Sequence, residues 1–216
     1  MRKFLILTVI AVLAFACSKD DGNNPNNPNG HIISGDDWGF LKVGNKWEYE
    51  IEIKDLFTQQ VKEVRDGAIE IYSEEYSAKG LHLFNYSVKE GTSNYTSNFV
   101  NGDNFLQYEP FNEQNSWMGA EEFPTVYKNA FKGQKWNYTY DDGDKSFREV
   151  VAINQTVTVP ASTFNDVMVI EETLSWWEPE DGPAYVWYIS KKYGLIMFVD
   201  VGGNVFTYRL KKIDLK

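Results

Sequence analysis

Two adjacent tryptophans, Trp176 and Trp177, stand directly before an acidic segment and are well suited to bind a ligand. Residues 178–183 read Glu-Pro-Glu-Asp-Gly-Pro. An indole ring can stack on the apolar face of a sugar while nearby carboxylates accept hydrogen bonds from its hydroxyl groups. The alternative is that the aromatic rings pack in a core at the edge of a sheet. The candidate ligand-binding residues are Trp176, Trp177, Trp187, Glu178 and Glu180.

The sequence does not favour catalysis. Glycoside hydrolysis needs two carboxyl groups about 5 to 9 Å apart, whereas Glu171 and Glu172 are neighbours in a predicted strand and point to opposite faces. His31 and His82 have no partner at a spacing typical of metal ligands. We therefore expect a protein that is not an enzyme and has no metal site and no cofactor; the alternative is a hydrolase in which Glu178 and Glu180 form the acid pair.

The only cysteine, Cys17, follows a pattern typical of a secretory signal peptide. Arg2 and Lys3 precede an apolar run at residues 4–15, and small residues at positions 14 and 16 mark a cleavage site before Cys17. The run is shorter than the roughly 20 residues that cross a bilayer. The sequence therefore predicts that residues 1–16 are removed.

Residues 14–17 (Ala-Phe-Ala-Cys) resemble the lipobox of bacterial lipoproteins, in which the cysteine carries the lipid anchor. Ala14 stands where that family usually has leucine, and the alternative is a free N-terminal thiol on a secreted protein. The next four residues resemble the export signal of Bacteroidota-type surface lipoproteins; they are Ser18, Lys19, Asp20 and Asp21. The resemblance implies a lipoprotein of the outer membrane, exposed at the cell surface, with a periplasm-facing or secreted protein as alternatives.

Composition divides the rest of the chain into two parts. Residues 17–37 are rich in asparagine and proline and nearly free of apolar side chains, which predicts a disordered tether. Residues 38–216 are long enough for one domain with a substantial core. Without Arg2 and Lys3 the 21 basic residues become 19 against 31 acidic ones, a formal charge of −12. This charge argues against nucleic acid as a partner.

Alternating apolar residues predict an all-β domain. Residues 46–54 place Trp47, Tyr49, Ile51 and Ile53 on one face of a strand and charged residues on the other. Similar runs, separated by glycine-containing turns, predict about a dozen antiparallel strands. Later runs are apolar on both faces, so the sheet must cover itself. We expect a strongly curved antiparallel sheet that forms a barrel, a half-barrel or a two-sheet sandwich.

Two short segments of the domain resemble each other. Residues 44–49 (Gly-Asn-Lys-Trp-Glu-Tyr) match residues 133–138 (Gly-Gln-Lys-Trp-Asn-Tyr) at four of six positions. Two similar halves of one sheet would explain the match, and chance on a common strand pattern would explain it equally well.

A longer pattern resembles an uncharacterised family of bacterial, Bacteroidota-type surface lipoproteins. It comprises Val-Pro-Ala-Ser-Thr-Phe at residues 159–164, the apolar residues 167–170, Trp-Tyr-Ile-Ser at 187–190 and Tyr-Gly-Leu-Ile at 193–196. Ser162 replaces the glycine that is usual in the family. The resemblance implies an all-β, strongly curved sheet, and it implies no activity.

These features predict a membrane-anchored cell-envelope protein that binds a ligand. An exposed aromatic surface would bind a glycan. A cavity inside the curved sheet would instead carry or sense an apolar small molecule or a lipid. A structural or assembly role is the third alternative.

Overall fold

The computed structural model describes residues 38–77, 80–107, 124–140, 143–176, 182–201 and 204–216. The predictions for residues 1–37, and those for Trp177, Glu178 and Glu180, fall outside these ranges. Within them, no helix is long and apolar enough to cross a membrane.

The described chain folds into twelve β-strands, as the alternating pattern predicts. Alternate residues of a strand point to opposite faces of the sheet, so β1 buries its tryptophan, tyrosine and isoleucines on one face and leaves its glutamates half-buried on the other. The strands are β1 (Lys46–Asp55), β2 (Val61–Tyr76), β3 (His82–Glu90), β4 (Ser93–Asn101), β5 (Phe105–Gln107), β6 (Val126–Tyr127), β7 (Lys135–Thr139), β8 (Lys145–Val159), β9 (Ser162–Leu174), β10 (Tyr185–Ser190), β11 (Gly194–Val201) and β12 (Asn204–Asp214).

All twelve strands belong to one antiparallel sheet. Strands β1 to β6 form one meander and β7 to β12 form a second, and the two meanders meet where β1 pairs with β12. Strands β6 and β7 therefore lie at the two ends of the strand order. The predicted antiparallel sheet of about a dozen strands is confirmed. It is a single open sheet, which agrees with the half-barrel among the three expected arrangements and not with the closed barrel or the two-sheet sandwich.

Side chains from the two ends of this sheet contact each other, so the sheet is strongly curved. In a flat sheet β6 and β7 would lie roughly 50 Å apart, because neighbouring strands are about 4.8 Å apart. Instead, the rings of Tyr127 and Trp136 have centroids 5.3 Å apart. Trp136 Nε1 also donates a hydrogen bond of 2.8 Å to the carbonyl oxygen of Pro124. Side chains bridge this junction between β6 and β7, and we call the junction the seam.

The concave face of the sheet carries the core. The Tyr49 hydroxyl donates to the carbonyl oxygen of Leu195 at 2.9 Å, and Trp47 Nε1 donates to that of Tyr193 at 2.7 Å, so both side chains of β1 reach past β12. Residues 38–41 cover the end of the sheet at which β1 begins. The largest fully buried side chains are those of Trp38, Trp47, Arg148, Tyr49, Tyr86, Phe40, Ile51, Ile69, Ile71, Leu106 and Ile170.

The two meanders begin with the same turn. Gly44 and Gly133 have φ angles of 89° and 87°, a left-handed conformation that glycine adopts without strain. The Gly44 amide donates to Ile71 at 2.8 Å, and the Gly133 amide donates to Val150 at 2.7 Å. The amides of Ile71 and Val150 each donate back at 3.0 Å to the residue after the glycine. The short sequence match therefore corresponds to a repeated turn and strand.

The structure also differs from the expected strands. The sequence has separate strand-like runs at residues 147–153 and 156–159, yet β8 passes through both. Its pairing with β9 shifts register between Val150 and Val157, and Asn154 adopts a positive φ of 54° within this irregular stretch. A bulge thus keeps the strand continuous where the sequence suggests a turn. Strand β6 was not expected, because two residues are too short for a periodic pattern.

Candidate functional site

Three aromatic side chains lie together where β7 and β9 end. Tyr138 and Tyr140 are two residues apart and share one face of the β7 segment, with ring centroids 5.1 Å apart and planes at 84°. The Tyr140 ring lies 6.0 Å from that of Trp176, at 54°. Trp176 is 54% exposed, whereas both tyrosines are half-buried. We call Tyr138, Tyr140 and Trp176 the aromatic rim.

Hydrogen bonds hold the turn that carries Trp176. The Ser175 amide donates to the carbonyl oxygen of Lys145 at 2.7 Å, and the Lys145 amide donates to Ser175 Oγ at 2.9 Å. Ser175 Oγ in turn donates to Asp144 Oδ1 at 3.1 Å. The Tyr140 amide donates to the carbonyl oxygen of Asp144 at 2.7 Å. The exposed indole is thus attached to the same hydrogen-bonded segment that holds the backbone of Tyr140.

Trp187, the third tryptophan of the predicted site, lies in the core and away from the rim. It is 4% exposed, and its ring centroid is 4.3 Å from that of Phe198. Its Nε1 donates to Glu172 Oε2 at 3.3 Å. Cross-strand pairing with Ile170 and Phe198 places Trp187 in a row of concave side chains. The structure therefore brings Trp176, and not Trp187, to the surface.

A buried ion pair that the sequence analysis did not anticipate lies beside Trp187. Arg148 Nε and Nη2 each lie 2.9 Å from Glu172 Oε2, and their side chains are only 1% and 3% exposed. The Ser146 hydroxyl donates to the other carboxylate oxygen, Oε1. The Arg148 guanidinium also lies over the Trp187 ring, 5.4 Å from its centroid. Hydrogen bonds therefore compensate both buried charges.

This ion pair also reaches the seam. Arg148 Nη1 donates to the carbonyl oxygen of Pro124 at 3.2 Å, the same oxygen that accepts the Trp136 indole hydrogen. Arg148 thus contacts both Glu172 on β9 and Pro124 beside β6, and this contact holds the two ends of the sheet together. Both carboxylate oxygens of Glu172 accept hydrogen bonds, and the pair is buried. It offers no exposed carboxyl group for acid–base chemistry.

A second polar cluster lies further across the concave face. Arg65 Nη2 forms an ion pair with Glu90 Oε1, and the Tyr208 hydroxyl donates to the same oxygen at 3.3 Å. Burial, together with the nearby carboxylates of Glu90 and Asp200, raises the pKa of Tyr208. The phenol therefore remains protonated and keeps donating to Glu90 at ordinary pH.

No group of three His, Cys, Asp or Glu side chains in the described part of the chain is arranged to hold a metal ion. His82 instead stacks on Tyr76, with ring centroids 4.6 Å apart, and its Nε2 lies 3.0 Å from Glu74 Oε2. This arrangement stabilises the hairpin between β2 and β3.

The described residues therefore define an all-β protein with one open, curved antiparallel sheet of twelve strands. The aromatic rim lies at the end of β7, which is a terminal strand of this sheet. Comparison with protein-family models, with curated proteins and with solved structures returned no match.

Proposed function

We propose that this chain is a non-catalytic, ligand-binding module of the cell envelope that recognises a glycan through the aromatic rim. The observation that carries the proposal is the exposed indole of Trp176 on a turn held by hydrogen bonds. A soluble protein gains stability by burying a ring of this size. Together with the neighbouring rings of Tyr140 and Tyr138, the exposed indole forms a contiguous aromatic patch, and such patches are typical of binding surfaces.

The chemistry of the rim suits a sugar. The indole face offers an apolar surface for the C–H groups of a sugar ring, and the Asp144 carboxylate nearby can accept hydrogen bonds from hydroxyl groups. Glu178 and Glu180, which follow Trp176 in the sequence, are the other acceptors that we propose. The described concave face is filled by large side chains such as Trp47 and Tyr49, so the geometry favours the rim over a cavity for an apolar ligand.

The exposed area of Trp176 sets the expected contribution to binding. A tryptophan side chain presents roughly 250 Å², so 54% exposure corresponds to about 130 Å². A sugar ring covering about half of this area would contribute about 1.6 kcal/mol at about 25 cal/mol per Å². That free energy corresponds to about a 15-fold change in Kd.

Isothermal titration against a panel of soluble glycans tests the proposal. With the full chain made non-lipidated by Cys17→Ala, Trp176→Ala should weaken the binding of any glycan ligand about 15-fold. The matched control is Phe131→Ala, because Phe131 is 59% exposed and precedes β7 at its other end. Equal effects of the two substitutions, or no binding by any glycan, would reject the rim as a glycan site and favour a structural or assembly role.

We further propose that a lipid on Cys17 anchors the module to the outer membrane, with residues 18–37 as the tether. The lipobox-like residues 14–17 and the following Ser18, Lys19, Asp20 and Asp21 support this location. The family resemblance in residues 159–164 agrees with it. Cys17→Ala should move the protein from the membrane fraction to the soluble fraction, and a variant that remains membrane-bound would contradict the anchor.

A further inference from the structure

We infer that the rim binds one ring at a time of a soluble, uncharged oligosaccharide, and that it does not bind the flat surface of an insoluble polysaccharide. The inference rests on the proposed function and adds the class of glycan. The angles between the ring planes of the rim and the acidic sequence beside it support the inference.

The ring planes of the rim do not form a flat platform. A flat polysaccharide surface presents many sugar rings in one plane, so a protein that binds it needs several aromatic rings in a matching plane. In the rim, successive planes meet at 84° and 54°. A planar surface resting on the Trp176 indole would therefore meet Tyr140 at an angle and could not stack on Tyr138.

The Trp176 and Tyr140 rings meet at an angle and therefore form a corner, not a platform. Trp176 supplies the exposed floor, and Tyr140, tilted at 54° with its centroid 6.0 Å away, supplies a wall. Both tyrosines are half-buried, so Trp176 is the rim residue with the largest free ring surface. One ring of a glycan therefore makes the main stacking contact, and the next rings extend away from it.

Charge around the rim selects against acidic glycans. Asp144 lies within the hydrogen-bonded turn, and the sequence next to the rim residues is acidic, since residues 141–145 and 178–181 contain six acidic residues and one basic residue, Lys145. The whole chain carries a formal charge of −10. Uronic acid or sulfate groups would be repelled at close range. Hydroxyl groups, in contrast, find acceptors there.

Binding measurements in three arms test the inference with the full Cys17→Ala chain. The first arm titrates neutral gluco-, xylo- and manno-oligosaccharides of two to six units, the second titrates oligogalacturonides, and the third measures sedimentation with microcrystalline cellulose and chitin. We expect binding in the first arm alone, with affinities that change less than about threefold from two to six units. Trp176→Ala should weaken this binding at least tenfold, and Tyr140→Ala should weaken it less.

The outcomes separate the inference from the proposed function. Trp176-dependent binding to the insoluble polymers or to oligogalacturonides would overturn the inference and leave a glycan-binding rim intact. An affinity that rises more than tenfold with chain length would also overturn it, because several rings would then contribute. If no arm shows binding that depends on Trp176, the proposed function itself fails.

Discussion

The buried pair of Arg148 and Glu172 gives the sharpest test of how the two ends of the curved sheet are held together. Replacing Glu172 by leucine leaves the Arg148 guanidinium, 1% exposed, without its carboxylate. Replacing Arg148 by methionine leaves the Glu172 carboxylate in the same position. Removing one member of a buried ion pair typically costs about 3 to 5 kcal/mol. Each single variant should therefore lose about that much free energy of unfolding.

The double variant Arg148→Met/Glu172→Leu should be more stable than either single variant. It leaves no buried charge, and the groups that lose their partner are the Ser146 hydroxyl and the Trp187 indole N–H. A buried donor that loses its acceptor costs about 1 to 3 kcal/mol, so the double variant should lose about 2 kcal/mol at the lower end of this range. The carbonyl oxygen of Pro124 keeps its hydrogen bond from Trp136.

Urea unfolding followed by tryptophan fluorescence measures these differences. For a chain of this size the single variants should also melt roughly 6 to 20 °C lower. The matched control is Glu149→Gln, which breaks the exposed Lys135–Glu149 ion pair between β7 and β8 and should cost less than about 1 kcal/mol. The account of the seam would be refuted if the free energies of unfolding lost in the two single variants simply added in the double variant. It would also be refuted if each single variant lost as little as the Glu149→Gln control.

Two further predictions concern the rim and the buried tyrosines. Ser175→Ala removes the hydroxyl that joins Lys145 to Asp144, so glycan affinity should fall about fivefold by titration while the melting temperature shifts by only a few degrees. Burial raises the pKa of Tyr49 and of Tyr208, so their stabilising contribution is complete below about pH 10 and is lost as the pH rises further. Urea midpoints from pH 8 to 11 should fall less steeply in Tyr208→Phe, and an unchanged slope would contradict the cause given.

Much of the fold follows from local sequence patterns. The alternation in residues 46–54 predicts β1, and the residues it assigns to the core, such as Trp47 and Ile51, are buried. The run at residues 167–170 is apolar at every position and is buried on both faces. Such patterns specify strands and faces because side-chain direction alternates regularly. They carry no information on strand order, which depends on pairing between distant residues.

The site was only partly predictable for the same reason. Trp176 was identified from its neighbours in the sequence, and it is exposed. Its contact with Tyr140 depends on the pairing of β8 with both β7 and β9, which no local pattern reveals. Apolar side chains are usually buried and charged ones exposed, but residues 147 and 148 show the reverse: Phe147 is 43% exposed and Arg148 is 1% exposed. Arg148 is buried because Glu172 lies opposite it on β9, a pairing visible only in the folded sheet.

The repeated turn and strand explain why the rim lies in the second meander. Tyr49 and Tyr138 occupy matching positions, yet Tyr49 is buried whereas Tyr138 is half-buried and contacts Tyr140. Strand β1 has neighbours on both sides, while β7 pairs with β8 and ends the strand order. Side chains of a terminal strand are covered less completely, so the same motif forms core in one meander and surface in the other.

The seam connects this surface to the stability of the sheet. Trp136 lies two residues before Tyr138 on the same face of β7, and its indole is fixed to the carbonyl oxygen of Pro124. Arg148, which binds the same oxygen, pairs with Trp136 across β7 and β8. The contacts that hold the two ends of the sheet together therefore also fix the strand that presents the aromatic rim. A loosened seam should weaken ligand binding even though Arg148 and Glu172 are buried away from the ligand.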